Sequence, residues 1–178
     1  MCIRDRSNGR TFVYGFSRKG GRDPSTGELH DGYYCSGQYK CHGLVKVYLW
    51  NENEGVWKQS SEDIIGKTGY GSYIGEQLGY SVAITNQGDF IAASFSAEPG
   101  SGPSTNDVIP GVRFFKKIES QWQQIGDDLK MPAKGQVQDL DLSSDGSMIK
   151  VRWKNEACLL YTSPSPRDAT LSRMPSSA

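Results

Sequence analysis

The chain has 178 residues, with 20 basic and 20 acidic side chains and no formal net charge. At 36% hydrophobic and 11% aromatic it has the make-up of a globular domain, not of a disordered or collagen-like chain. Zero net charge excludes a broad basic field for nucleic acid, and no apolar run approaches the roughly 18 residues of a membrane-spanning helix. Glycine is abundant, 21 of 178 against a usual ~7%, which points to many turns and an all-β chain.

The two ends stand apart. Residues 158–178 are rich in Ser and Pro and carry neither a helical nor a strand period. They resemble a translated sequencing adapter: the string TGTCTCTTATACACATCT encodes the run from Cys158 to Ser163. The reverse complement of its TCTCTTATACACAT stretch encodes Met1, Cys2, Ile3 and Arg4 and opens Asp5. Residues 1–6 and 158–178 are therefore expected to be adapter translation and are set aside, as fusion scars are. Taking Arg4, Arg6, Arg167 and Arg173 from the 20 bases, and Asp5 and Asp168 from the 20 acids, leaves 16 and 18, a net charge of −2.

Between the ends the chain repeats itself. Residues 7–16 read as the last strand of a preceding unit, and 17–42 as a loop insertion. Residues 43–94 form one four-stranded unit, 95–110 a second loop, and 111–157 another unit. The first strand of the earlier unit, Val45 to Leu49, alternates with the period of two of a half-buried strand. The second carries Trp57, matched by Trp122, within a shared pattern W-x-Q-x-x-[ED]-D-[IL]. The third runs from Tyr80 to Thr85, matched by Val137 to Ser143. The fourth runs from Phe90 to Ser94, matched by Met148 to Trp153. Turns containing Gly88 and Gly146 join the third strand to the fourth, where glycine tolerates positive φ. No stretch shows a helical stripe. Four-stranded units in series predict a β-propeller fragment: about two blades plus the last strand of a preceding one.

The ordered set Gly43-x-Val45-x-Val47, Trp57-x-Gln59 with Glu62-Asp63-Ile64, and Gly75-x-x-x-Gly79-x-Ser81-Val82-Ala83-Ile84 resembles the FG-GAP-like propeller repeats of the integrin α-head and related proteins. Leu78-Gly79 stands where that family has Phe-Gly. The resemblance implies a non-catalytic extracellular or cell-surface scaffold for adhesion or ligand binding, with a protein or glycan ligand. The alternatives are a fragment of a propeller enzyme such as a hydrolase, or an intracellular protein-interaction scaffold. Such repeats often hold calcium in an Asp-rich loop. The corresponding loop here, Asn51-Glu52-Asn53-Glu54-Gly55, lacks the ligand count, so no cofactor is assigned to these units and calcium stays possible only in a longer protein.

Among residues that could carry chemistry, Cys35 and Cys41 are placed to close a small disulfide within the 17–42 loop, or to remain free thiols. With His30 and His42 they fit no zinc spacing. The acids Glu62-Asp63 and Asp127-Asp128 recur in both units, which argues for turn chemistry over catalysis. Trp57 and Trp122, with Gly79, Gly88 and Gly146, are assigned to packing between blades. Trp50 and Trp153 are the better candidates for exposed aromatics. Tyr33, Tyr34 and Tyr39, among Gly and Ser, suit either an adaptable binding loop or a self-packed one. Sequencing of the native locus is expected to lack the codons for residues 1–6 and 158–178; finding them continued within an uninterrupted gene overturns the adapter assignment.

Overall fold

The computed structural model describes residues 2–7, 9–17, 42–67, 76–95, 110–131, 136–153 and 156–161, the first and last of these as main chain alone. Every regular element among them is a strand. Sheet 1 contains β1 (Cys2–Ser7), β2 (Thr11–Phe16), β3 (Leu44–Asn51), β4 (Val56–Gln59) and β5 (Ile64–Ile65). Sheet 2 contains β6 (Val82–Ile84), β7 (Phe90–Phe95), β8 (Gly111–Ile118), β9 (Gln121–Gln124) and β10 (Leu129–Lys130). Sheet 3 contains β11 (Val137–Leu142), β12 (Met148–Trp153) and β13 (Glu156–Tyr161). All strand pairs are antiparallel. β4 and β5 pair in succession along β3, as β9 and β10 do along β8. Counting each such pair as one interrupted strand, sheets 1 and 2 are four-stranded.

The sheets lie face to face, and β6 sits beside β1 and β2 on one side and β11 on the other. The innermost strands of successive sheets are thus neighbours, the arrangement of β-propeller blades. Val13, Val45, Val47 and Ile64 of sheet 1 pack on Val82, Ile84, Ile91, Ala93, Phe95 and Phe115 of sheet 2. The other face of sheet 2, with Phe90, Ala92, Val112 and Phe114, packs on Leu140, Leu142, Ile149, Val151 and Trp153 of sheet 3. This double cover explains the sequence of β7, FIAASF, in which all six residues are buried. A strand covered on both faces carries a continuous apolar run, whereas β12, covered on one, alternates exposed and buried.

The sheets are out of phase with the sequence units. The unit 43–94 is divided: β3, β4 and β5 belong with β2 in sheet 1, whereas β6 and β7 open sheet 2. Residues 7–16 are likewise no remnant of a preceding sheet, since β2 pairs with β3 through all six residues from Thr11 to Phe16. In the unit 111–157 the break falls between β10 and β11. The physical reason is that repetition fixes a period but no phase. The phase is set by which strands share backbone hydrogen bonds, and β2–β3 and β7–β8 pair across the two long insertions. Parts of both end segments enter the sheets as the edge strands β1 and β13. A sheet edge offers its free N–H and C=O groups to any extended segment, so this pairing is a property of the edge, whatever the origin of the residues.

The connection from sheet 1 to sheet 2 is stitched by backbone bonds. Leu78 N–H donates to His42 O at 2.9 Å, and Gly79 N–H to Ser94 O at 2.8 Å. Gly79, at φ +91°, has no room for a side chain: a Cβ there would lie 2.7 Å from Leu44 O and 3.1 Å from Gly15 Cα. The Gly146 turn of sheet 3 rests in the same way on Thr85 and Phe90 of sheet 2. Gly79→Ala is expected to lower stability by about 2 kcal/mol or more, from left-handed strain plus backbone collision. Gly126→Ala, at φ +63° with nothing within 4 Å, is expected to cost only about 1 kcal/mol. Urea unfolding midpoints of the two variants check the difference.

Candidate functional site

The most elaborate polar cluster lies between sheets 1 and 2. Arg113 projects from β8 on the face turned to sheet 1 and is 2% exposed. Its Nη1 and Nη2 donate to the two oxygens of Glu76, from the inter-sheet connection, at 2.8 and 2.9 Å. Its Nε and Nη2 donate to Asp128 at 2.8 and 2.7 Å. Glu76 Oε2 also accepts the Lys67 N–H at 2.8 Å, and Lys67 Nζ lies 3.7 Å from Asp128. The Phe95 ring sits 5.0 Å from the guanidinium carbon, within cation–π range. Burial by itself favours a neutral Arg113, but the hydrogen bonds and charges of Asp128 and Glu76 prevail and raise its pKa well above the ordinary arginine value. Burial likewise opposes a charged Asp128, and the Arg113 bonds and charge, with Lys67, hold its pKa below the ordinary 3.8. Two bidentate pairs around one buried guanidinium leave these groups engaged with one another, a brace between sheets and not an open reaction centre.

The same construction appears in simpler form in sheet 1. Lys46 occupies the β3 position equivalent to Arg113 and pairs with Asp63 at 3.3 Å. In both sheets the Gln of W-x-Q bonds the Asp of the pattern: Gln59 Nε2 to Asp63 at 2.7 Å and Gln124 Nε2 to Asp128 at 3.0 Å. Each Gln also donates to a carbonyl two residues on, Ser61 O or Gly126 O. The repeated motif is therefore a clamp. Gln holds the turn that interrupts the fourth strand, and it aims the Asp at a base on the third.

The assigned tryptophans separate. Trp122 packs in part against the core between sheets 1 and 2. Trp57, assigned to packing between blades, lies on the far face of sheet 1 and is 40% exposed. It packs edge-on against Phe12 at 4.8 Å and Trp50 at 5.4 Å between ring centroids, and Phe12 stacks on Tyr48 at 4.8 Å. No sheet among the described residues covers that face, which is why the same motif residue ends in a different environment. Trp50 is exposed at 38%, but Trp153 is 7% exposed and belongs to the core between sheets 2 and 3. Its signal was present in the sequence, since it alternates in phase with Ile149 and Val151. Gly88 and Gly146 both take positive φ, 71° and 74°, within their turns. In the second turn the Ser143 hydroxyl and Ser147 bond the Asp145 carboxylate and lower its pKa to about 2. Cys35, Cys41, His30, Tyr33, Tyr34 and Tyr39 lie outside the described residues.

The hairpin after β3 is a polar knuckle. Asn51 Oδ1 accepts the N–H groups of Asn53 and Glu54, while Glu52 pairs with Arg10 at 2.6 Å and Glu54 with Lys58 at 2.5 Å. This hairpin, with the turns at 86–89, 119–120 and 144–147, forms one rim of the sheets. The connections 17–42, 66–81, 95–110 and 131–136 all leave from and return to the opposite rim, as the pairings of Phe16 with Leu44, Leu44 with Ile65, and Phe95 with Gly111 require. In sheets 1 and 2 the tight turns thus occupy one end, and the long insertions occupy the other.

No known family model matches the sequence, and no curated protein matches it. Solved structures are similar, three of them as follows. "Crystal Structure of Mitotic Checkpoint Complex" shares 13% identity at a TM-score of 0.45, over 90% of this chain and 49% of that one. "Structure of U3-55K" and "Crystal structure of RRP9 WD40 repeats" each share 12% identity at a TM-score of 0.27, over 87% of this chain and 61% and 60% of theirs. The chain spans about half to three fifths of the length of these solved chains.

Arg113→Met, which strands two carboxylates, is expected to lower stability by about 3–5 kcal/mol. Asp128→Asn is expected to weaken the protein at neutral pH by less. Because the folded-state pKa of Asp128 is depressed, its contribution is complete above the ordinary 3.8 and is lost as pH falls through the lower folded value. The stability gap between the native chain and Asp128→Asn should therefore close on acidification, as followed by urea unfolding at a series of pH values.

Proposed function

We propose that the chain is a non-catalytic scaffold that binds protein partners through the rim carrying its long connections. The observation that carries this is the matched position of the two insertions. Residues 18–41 and 96–109 enter at the same point of sheets 1 and 2, between the second and third strands, and both return to the same rim. Antiparallel neighbours need only a short hairpin there, so the extra length is not demanded by the fold. Segments of this kind on a rigid support are where binding residues gather. The buried cluster of Arg113, Glu76 and Asp128 supports the same reading, because its donors and acceptors are spent on one another.

The cell-surface form of the proposal, an FG-GAP-like adhesion or ligand-binding protein with a protein or glycan ligand, rests on the sequence resemblance; the other form is an intracellular interaction scaffold. Replacing residues 18–41 or 96–109 with short Gly–Ser linkers is expected to leave the strand circular dichroism and unfolding midpoint nearly unchanged. The same replacements should abolish capture of the partners that the unaltered chain enriches from its source. Capture that survives both replacements rejects the loop rim as the binding surface. Thiol mapping of the native protein separates the two forms: a Cys35–Cys41 bridge favours the cell surface, and two free thiols favour the interior of the cell.

A further inference from the structure

Asp–Gly occurs twice in the sequence, at Asp31–Gly32 and Asp145–Gly146. The first pair lies outside the described residues, and the second forms the turn between β11 and β12. This dipeptide carries its own chemistry. The Gly146 nitrogen can attack Cγ of Asp145, because glycine has no side chain to obstruct the approach. The N–Cγ bond forms, the C–OH bond of the protonated carboxyl breaks, and one water leaves with the amide proton. Water then opens the succinimide ring. Addition at Cγ restores the aspartate, whereas addition at the main-chain carbonyl leaves an isoaspartate, whose backbone runs through Cβ and Cγ. Nothing is oxidised or reduced, and water is the only co-reactant.

The folded turn holds each reacting group off this path. Gly146 N–H donates to Ser143 O at 3.0 Å. The Asp145 carboxylate accepts the Ser143 hydroxyl at 2.7 Å, the Ser147 N–H at 3.0 Å and the Ser147 hydroxyl at 2.8 and 2.9 Å. These bonds favour the ionised carboxylate, which has no hydroxyl to lose. The turn is also seated on sheet 2: Asn86 N–H donates to Ser144 O at 3.3 Å, and a Cβ at Gly146 would lie 3.1 Å from Thr85 Cγ2. Bringing the Gly146 nitrogen onto Cγ therefore breaks the turn bond and takes the carboxylate from both serines. The fold does not demand the reactive pair. The corresponding turn of sheet 2 makes the same bond, Gly88 N–H to Thr85 O at 3.0 Å, with Gln87 in the place of Asp145. Glutamine is longer by one methylene and closes the larger ring more slowly.

We propose that Asp145–Gly146 is a site of spontaneous isoaspartate formation, held closed by the docking of sheet 3 on sheet 2. It reacts when the turn opens locally, and the product cannot close the turn again. The added backbone methylene enlarges the ring closed by Gly146 N–H and Ser143 O, and it displaces Gly146 from its seat on Phe90. Interiors at close packing do not absorb such a shift. An opening of the turn is thus recorded as a lasting weakening of the contact between sheets 2 and 3. The inference is independent of which rim binds a partner.

The test incubates the full chain at neutral pH and one temperature, folded and in denaturing urea. Isoaspartate is read on the tryptic peptide 135–150 by chromatography and by labelling with an isoaspartyl methyltransferase. Asp139 and Asp141 share that peptide, so loss of the signal in Asp145→Glu assigns it to Asp145. The folded chain is expected to convert about tenfold more slowly than the unfolded chain, or slower still. Ser147→Ala, which removes one hydroxyl and no backbone bond, should convert faster than the native chain while still folded, as its urea midpoint verifies. Converted chain, separated from unconverted, should unfold at a lower urea midpoint. Equal rates in the folded and unfolded chain overturn the proposal. So does a folded Ser147→Ala chain that converts no faster than the native one, and so does an unchanged midpoint after conversion.

Discussion

Sheet 2 has two apolar faces and one thickness of strand between them. Six consecutive buried residues in β7 leave no side of that strand for water, and burial of apolar area is the main favourable term in folding. Sheets 1 and 3 are therefore conditions for the existence of sheet 2. The positions of Gly15, Gly43 and Gly79 follow from this demand. A chain passing from one sheet to the next at packing distance must run its backbone directly against backbone, and a Cβ at any of the three would come within 3 Å of another main chain.

Apolar cover alone does not fix how two sheets slide over each other. Aliphatic side chains tolerate shifted packings at modest cost, whereas a guanidinium bound by two carboxylates in the fork geometry tolerates little displacement. Arg113 draws its acids from both sides of the interface, Asp128 from its own sheet and Glu76 from the connection that leaves sheet 1. Such a buried network contributes little net stability against an apolar substitute. Its consequence here is positional: the sheets dock in one register, and the start of β6 is pinned where Ser81 can bridge to Leu140 of sheet 3.

Much of this was legible in the chain. The strands follow from alternation, the turns from their glycines, and the recurring Gln and Asp from self-comparison, because all are local in sequence. The pairing of strands into sheets was not, since β2 finds β3 across an insertion that breaks the local pattern. Arg113 and Glu76, 37 residues apart, carry no motif that links them, and the sheet-1 equivalent is a lysine, which hides the correspondence. Trp57 shows a different limit. Its pattern is the same as that of Trp122, so sequence assigns both one role, but burial depends on whether a second sheet stands opposite, a fact no residue of the pattern contains.

The division between the two rims follows from the same mechanics. On the tight-turn rim the turns at 86–89 and 144–147 touch, with Asn86 N–H donating to Ser144 O and Gly146 set against Phe90. Lengthening a turn there disturbs the contact between neighbouring sheets. On the other rim, the stitches made by Leu78 and Gly79 use only the backbone next to the strand ends, so the insertions between β2 and β3 and between β7 and β8 can lengthen without moving a core residue. A loop's closure entropy rises only slowly with its length. The lengths of the two insertions can therefore vary at little cost to the fold.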